Sequence, residues 1–175
     1  MYASAKIIVF LAFCQQVFCC TTEPYCSKGP FGVKNGHEFN DFELFKHTSA
    51  CSNITRVEVW HDTIVHGLKF TYGSSVSSLR GSDVGEHANH DIGGHWITKV
   101  TGQVGQTQAG STLRITELTL HLNSGTVFGP YGGNGIEQSP FSAESGPDQS
   151  AGLSWISGRD GANLDELTFF FNCIL

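Results

Sequence analysis

The run NLDELTFFF, Asn163–Phe171, decides the fold because the same pattern has already appeared twice in the chain. IVHGLKFTY, Ile64–Tyr72, and RITELTLHL, Arg114–Leu122, align with it so that His66, Thr116 and Asp165 coincide, 50 and 49 residues apart. A near-constant period of this length marks an internal repeat. Each copy goes on with a large apolar residue at every second position: Leu68, Phe70, Tyr72; Leu118, Leu120, Leu122; Leu167, Phe169, Phe171. Period two is the signature of a strand buried on one face.

Each copy also follows another strand-like run and a turn, in ITRVEVWHD, WITKVTGQVG and AGLSWISGRDG. The repeating unit is therefore a β-hairpin used three times with further strands between. An all-β protein with pseudo-threefold symmetry is expected, and no window carries a helical period. Twenty-one Gly and thirteen Phe against a single Met agree with many turns and strands. SAESGPDQSAG, Ser142–Gly152, reads as an exposed loop.

The first residues, MYASAKIIVFLAFCQQVFCC, place Lys6 before an apolar run from Ile7 to Phe13 and then small residues. That is the layout of a secretory signal peptide over residues 1–19, with cleavage after Cys19 or Cys20, and the run is too short to span a bilayer. Residues 20–175 are expected to form one soluble, exported domain. Cys20, Cys26, Cys51 and Cys173 would remain, an even number suited to two disulfides in an oxidising compartment, with three connectivities open. Asn53 heads an N-I-T glycosylation sequon. The net charge is −6, and the ten Lys and Arg are scattered. Neither nucleic acid nor membrane insertion is expected of such a chain.

GRDGANLDEL, Gly158–Leu167, places Asp165 behind a Gly-x-x-x-Asp turn. An ionised Asp accepts from two neighbouring hydroxyls at once, and charge-assisted bonds are the stronger kind. Gly161 tolerates the positive φ of a tight turn. The equivalent turn of the first hairpin is DTIVH, Asp62–His66, through Thr63 and Ile64, and neutral His can accept one hydroxyl proton. It is a candidate second, pH-sensitive site, whereas Thr116 in the remaining hairpin offers none. HANHDIGGH brings His87, His90 and His95 near Asp83 and Asp91. It lacks zinc spacing and reads as a surface loop, so neither metal nor cofactor is implied. GPYGGNG lacks the ending of a phosphate loop. There is no GxSxG, and Asp165 and Glu166 point to opposite faces of a strand, so catalysis is not expected.

The threefold hairpin, FGPYGGNG at Phe128–Gly135, SGRDGANLDEL at Ser157–Leu167 and the early KGPFGVKNGHEF, Lys28–Phe39, together resemble the jacalin-related lectins over about Lys28–Phe171. Within that family, the expected signal peptide, the cysteines and ISGRDG resemble secreted animal members, such as the zymogen granule and molluscan mantle-secretion lectins, more than the plant proteins. The resemblance implies a β-prism of three four-stranded Greek-key sheets and metal-independent sugar binding at one end. It makes Asp165 the main hydroxyl acceptor and gives donor roles to the backbone of Ala162 and Asn163. The motif is completed by Gly161 and Leu164, and Gly36 forms the opposite wall. The family's glycine run is here GVKNG, with Val33 and Lys34 intruding.

Galactose-preferring relatives have a processed chain whose new amino terminus reaches the sugar. Gly36 lies inside a continuous segment, so mannose- or glucose-type mono- and oligosaccharides or glycoproteins are the expected partners. A homodimer or other small homo-oligomer would supply multivalency. The alternative is a structural, matrix or biomineral-associated protein acting through its sixteen Asp and Glu as a diffuse acidic surface.

Overall fold

The computed structural model of the chain describes residues 25–44, 53–146 and 152–172. The signal segment and Cys20, Cys51 and Cys173 lie outside the described residues. Thirteen strands follow one another: β1 Tyr25–Gly32, β2 His37–Asn40, β3 Ile54–His61, β4 Val65–Tyr72, β5 Ser75–Val76, β6 Arg80–Gly81, β7 Glu86–Asp91, β8 Ile97–Gln106, β9 Arg114–Leu122, β10 Val127–Gly132, β11 Ile136–Glu144, β12 Leu153–Asp160 and β13 Leu164–Asn172. A single 3-10 turn, Asp41–Leu44, is the only helical element among the described residues.

The three repeated runs are β4, β9 and β13, and each pairs antiparallel with the strand before its turn: β3, β8 and β12. Each hairpin is the centre of a sheet. One sheet has the order β1-β13-β12-β2 and a second β10-β9-β8-β11; in the third, β7-β3-β4 is completed by β5 and β6, which share the outer edge of β4. In the second and third sheets the flanking strands follow their hairpin. In the first they precede it, so β1 and β13, the first and last strands, lie side by side. These are three Greek-key sheets forming a β-prism.

The inward residues of all three hairpins meet in one core. Val57, Val59, Leu68, Phe70, Tyr72, Leu118, Leu120, Leu167, Phe169 and Phe171 are fully buried in it. Each such side chain contributes roughly 1.5–3 kcal/mol through burial. Period-two patterning therefore both makes the strands and fixes which face turns inward.

The register at the hairpin ends is repeated to the atom. Val33 N–H donates to Asp165 O at 2.9 Å, Ser82 N–H to His66 O at 3.0 Å and Gly133 N–H to Thr116 O at 2.9 Å. The residues before these donors are Gly32, Gly81 and Gly132, all at positive φ, and a Cβ on any of them would run into the same hairpin carbonyl oxygen. Three backbone crossings thus place Asp165, His66 and Thr116 at equivalent positions at one end of the prism.

Two expectations are corrected. HANHD is strand β7, paired with β3 from Arg56↔Asp91 to His61↔Glu86, rather than a surface loop. Ser142–Glu144 belong to β11 and pair with Lys99–Thr101 of β8, so the loop begins later than its composition suggested.

Between the first and third sheets lies a buried polar clamp. Asp41 is 0% exposed; its Oδ2 accepts from the Tyr72 hydroxyl at 2.8 Å and its Oδ1 from Arg80 Nε at 3.1 Å and Nη2 at 2.5 Å. Arg80 also covers the Phe39 ring at 4.5 Å. Burial pushes the Asp41 carboxyl above its usual range, although Arg80 and Tyr72 pull it down.

Candidate functional site

Asp165 is the second residue of β13 and is 4% exposed. Its neighbour Glu166 alternates to the other face and is only half-buried. A buried carboxylate needs partners, and Asp165 Oδ2 accepts from Asn35 Nδ2 at 3.3 Å across the gap to the β1–β2 loop. Burial raises the Asp165 carboxyl above the ordinary value; Asn35 and the Arg114 charge act against it, and Asp160 adds to it. The group thus keeps acceptor capacity although little of its surface is exposed.

The opposite wall is Gly36, at φ +70°. A Cβ there would fall 2.8 Å from Asp165 Oδ2 and 2.7 Å from the Asp160 carbonyl carbon, so only glycine leaves the space in front of the carboxylate open. Gly161 borders the same space, its absent Cβ 3.9 Å from Asp165 Oδ2; contrary to the expectation from the turn motif its φ is not positive, so the glycine serves clearance and not a left-handed backbone. The Gly36 carbonyl accepts from Arg159 Nη1 at 3.3 Å, and Arg159 Nη2 pairs with Glu38.

The turn itself is held by the neighbouring sheet. Gly161 N–H donates to Asn163 O at 3.0 Å within the turn, Gly81 N–H donates to Asp160 Oδ2 at 2.8 Å, and Ser82 Oγ donates to Ala162 O at 2.8 Å. The Asn163 amide satisfies every neighbour when its oxygen accepts from Arg114 Nη1 and its nitrogen donates to His66 Nδ1 at 2.9 Å and Ala162 O at 3.2 Å. Leu164, fully buried, anchors the start of β13. Gly36, Gly161, Ala162, Asn163, Leu164 and Asp165 therefore come together as one cluster.

The first hairpin has the same turn bond, Asp62 N–H to Ile64 O at 3.0 Å, which puts Asp62 in the place of Gly161. Asp62 Oδ1 gathers Thr63 N–H, Thr63 Oγ at 3.0 Å, Ile64 N–H at 3.3 Å and His66 Nε2 at 2.8 Å. The His66 contact is the main reason the Asp62 carboxyl is held at about 2. With Nε2 on Asp62 and Nδ1 on the Asn163 amide, both ring nitrogens of His66 are engaged within the protein. The expectation of a free nitrogen for a sugar hydroxyl does not fit this arrangement. The exposed acceptor of this hairpin is instead the Asp62 carboxylate, whose side chain is 46% exposed. His66 links the two hairpins.

At the remaining hairpin Thr116 is 0% exposed; its Oγ donates to Gln103 O at 3.2 Å and accepts from Gln138 Nε2 at 3.0 Å. Among the described residues no group of three or more His, Cys, Asp or Glu is placed to hold a metal ion.

Sequence reasoning missed Asn35, Arg114, Asp160 and Ser82. Asn35–Gly36 is an Asn-Gly pair, a turn signal that conceals the amide's reach to Asp165. Arg114 carries a signal in retrospect: it stands two residues before Thr116, as Asn163 stands before Asp165 and Ile64 before His66.

A family profile described as "Jacalin-like lectin domain" matches residues 28–170. No curated protein matches the chain. Among solved structures, the artocarpin–mannotriose complex superposes with a TM-score of 0.69 at 20% identity, covering 84% of this chain and 97% of that one. A mannose binding jacalin related lectin from Ananas comosus gives 0.69 at 18%, covering 86% and 99%. Wild-type Malaysian banana lectin gives 0.69 at 23%, covering 86% and 100%. At these identities the likeness to the solved structures is one of fold.

Proposed function

Because the chain belongs to the jacalin-like lectin family, we propose that it is a secreted, metal-independent carbohydrate-binding protein for mannose- or glucose-type glycans. The observation that carries this reading is the Asp165 carboxylate, 4% exposed, with Asn35 on one side and a glycine-cleared space on the other. Two adjacent hexose hydroxyls would donate to the two Asp165 oxygens. Backbone N–H groups of Gly36, Ala162 and Asn163 would complete the ring without loss of side-chain entropy.

The sugar class is inferred from the wall: Gly36 lies within the segment between β1 and β2 rather than at a chain terminus, which favours a mannose- or glucose-type ligand over a galactose type. Relatives of the same fold described as mannose-binding or bound to mannotriose support the same class. A second, weaker site is assigned to the first hairpin, resting on the exposed Asp62 carboxylate rather than on His66. Subunit pairing would supply avidity. The proposed role is binding: Asp165 and Glu166 face opposite sides of β13 and do not form a glycosidase pair.

A glycan array on wild type and Asp165→Ala, with and without EDTA, tests the reading. Losing two charge-assisted bonds, each about 1.5–3 kcal/mol, should weaken binding by at least a hundredfold. Unchanged binding by the variant would remove Asp165 from its role, and loss in EDTA would overturn metal independence.

A further inference from the structure

The outer face of the first sheet carries a groove that no part of the reading above uses. Phe39 and Leu167 on β2 and β13 turn into the core, so the positions that alternate with them turn outward. In register across the sheet these are Glu38, Arg159 and Glu166, and below them Asn40, Ser157 and Thr168. The row ends at Gly32, opposite Glu166, which adds no side chain. Small Ser157 and larger groups around it leave a depression of about 380 Å³. That lies within the roughly 300–1,000 Å³ of ordinary ligand sites.

One feature ties this groove to the Asp165 site: Arg159, one of its walls, donates to the carbonyl of Gly36, the wall of the primary site. The lining keeps polar groups for hydroxyls even though Arg159 is engaged by Gly36 and Glu38, and Asn40 Oδ1 accepts from Phe42 N–H: the Glu166 carboxylate and the second Glu38 oxygen accept, Asn40 Nδ2 donates, and the Ser157 hydroxyl does both. Glu38 and Glu166 against Arg159 leave it with one net negative charge, which disfavours acidic saccharides.

We infer that this groove is a second subsite, which takes the next residue of an oligosaccharide whose terminal residue sits on Asp165. The inference rests on the Asp165 reading. The preferred ligand of the chain is then a neutral oligosaccharide that bends from the end of the prism onto its side, and a monosaccharide fills only half of the surface. Arg159 serves both subsites, because one nitrogen holds the Gly36 carbonyl while the other holds Glu38 in the groove wall.

The test is calorimetric titration with methyl α-mannoside and with the α1-2-, α1-3- and α1-6-linked mannobioses. Wild type should bind at least one mannobiose about tenfold tighter than the monosaccharide, the gain expected from one or two added hydrogen bonds. Ser157→Trp, a strand-compatible residue, fills the groove and should bring that ratio to about one while leaving the monosaccharide affinity unchanged. Glu166→Gln, which keeps the shape, should lower the ratio in the same sense. A wild-type ratio of one, a ratio that survives Ser157→Trp, or loss of monosaccharide binding in both variants would overturn the subsite. Wild type that binds neither sugar, or Asp165→Ala that binds both, would overturn the Asp165 reading instead.

Discussion

Substituting alanine for Gly36 separates the two duties of that residue, and Gly93 provides an internal control. Both glycines have positive φ, +70° and +64°. An L-residue in that region costs roughly 1–2 kcal/mol, offset by about 0.4–1 kcal/mol from a stiffer unfolded chain. Around Gly93 no atom lies within 4 Å of an added Cβ, so the backbone penalty acts alone there. At Gly36 the methyl would lie 2.7 Å from the Asp160 carbonyl carbon and 2.8 Å from Asp165 Oδ2. Asp160 is backbone and cannot swing aside, so an overpacking cost of about 1–3 kcal/mol is added.

The net expectation is about 3 kcal/mol for Gly36→Ala and at most about 1.5 kcal/mol for Gly93→Ala. At about 2–4 °C per kcal/mol for a domain of this size, the melting temperature should fall by about 6–12 °C in the first and no more than about 6 °C in the second. The methyl also displaces a sugar hydroxyl from Asp165 Oδ2. One charge-assisted bond lost, about 1.5–3 kcal/mol, should weaken mannoside binding roughly tenfold to a hundredfold, with no change for Gly93→Ala. Differential scanning fluorimetry and titration calorimetry read the two quantities. Equal melting temperatures for the two variants, together with mannoside affinity within twofold of wild type in Gly36→Ala, would refute the clearance argument.

Arg80→Met should cost about 3–5 kcal/mol because it leaves the buried Asp41 carboxylate with its Tyr72 bond but no cation. A carboxyl raised in the fold binds more protons than in the unfolded chain at pH above its ordinary value, so its contribution to stability falls as pH rises. The gap in melting temperature between variant and wild type should therefore be wider at pH 8 than at pH 5, and a constant gap would contradict the assignment. Asn35→Ala removes a bond that lowers the Asp165 carboxyl, so the acid limb of mannoside binding, followed from pH 7 downward, should move to higher pH. An unmoved acid limb would mean that Asn35 does not hold the carboxylate.

The central hairpins were legible because alternation is a local signal: Leu167, Phe169 and Phe171 declare a strand without reference to anything distant. β7 was not, because neither face of Glu86–Asp91 is apolar; it is half-buried at best and owes its strand to pairing with β3. β5 and β6, two residues each, are too short to show a period. The Asp41 clamp and the Asn35–Asp165 bond join residues 31 to 130 positions apart, and nothing in the local sequence of either partner points to the other.

What distinguishes the three hairpin ends is the number of protein partners each polar group already has. Thr116 donates and accepts within the fold and is sealed. His66, matched in register, has one nitrogen on Asp62 and the other on Asn163, so its capacity is spent on joining two turns. Asp165 stands at the same backbone crossing with two oxygens and one long side-chain bond, from Asn35. An ionised carboxylate offers about four lone-pair sites, and burial makes leaving them empty costly. Of the three equivalent positions, only Asp165 combines near-complete burial with acceptor capacity that the neighbouring side chains leave largely unfilled. A ligand bearing adjacent hydroxyls would relieve that cost, and this departure of the third hairpin from the symmetry is the physical ground for proposing the sugar site at Asp165.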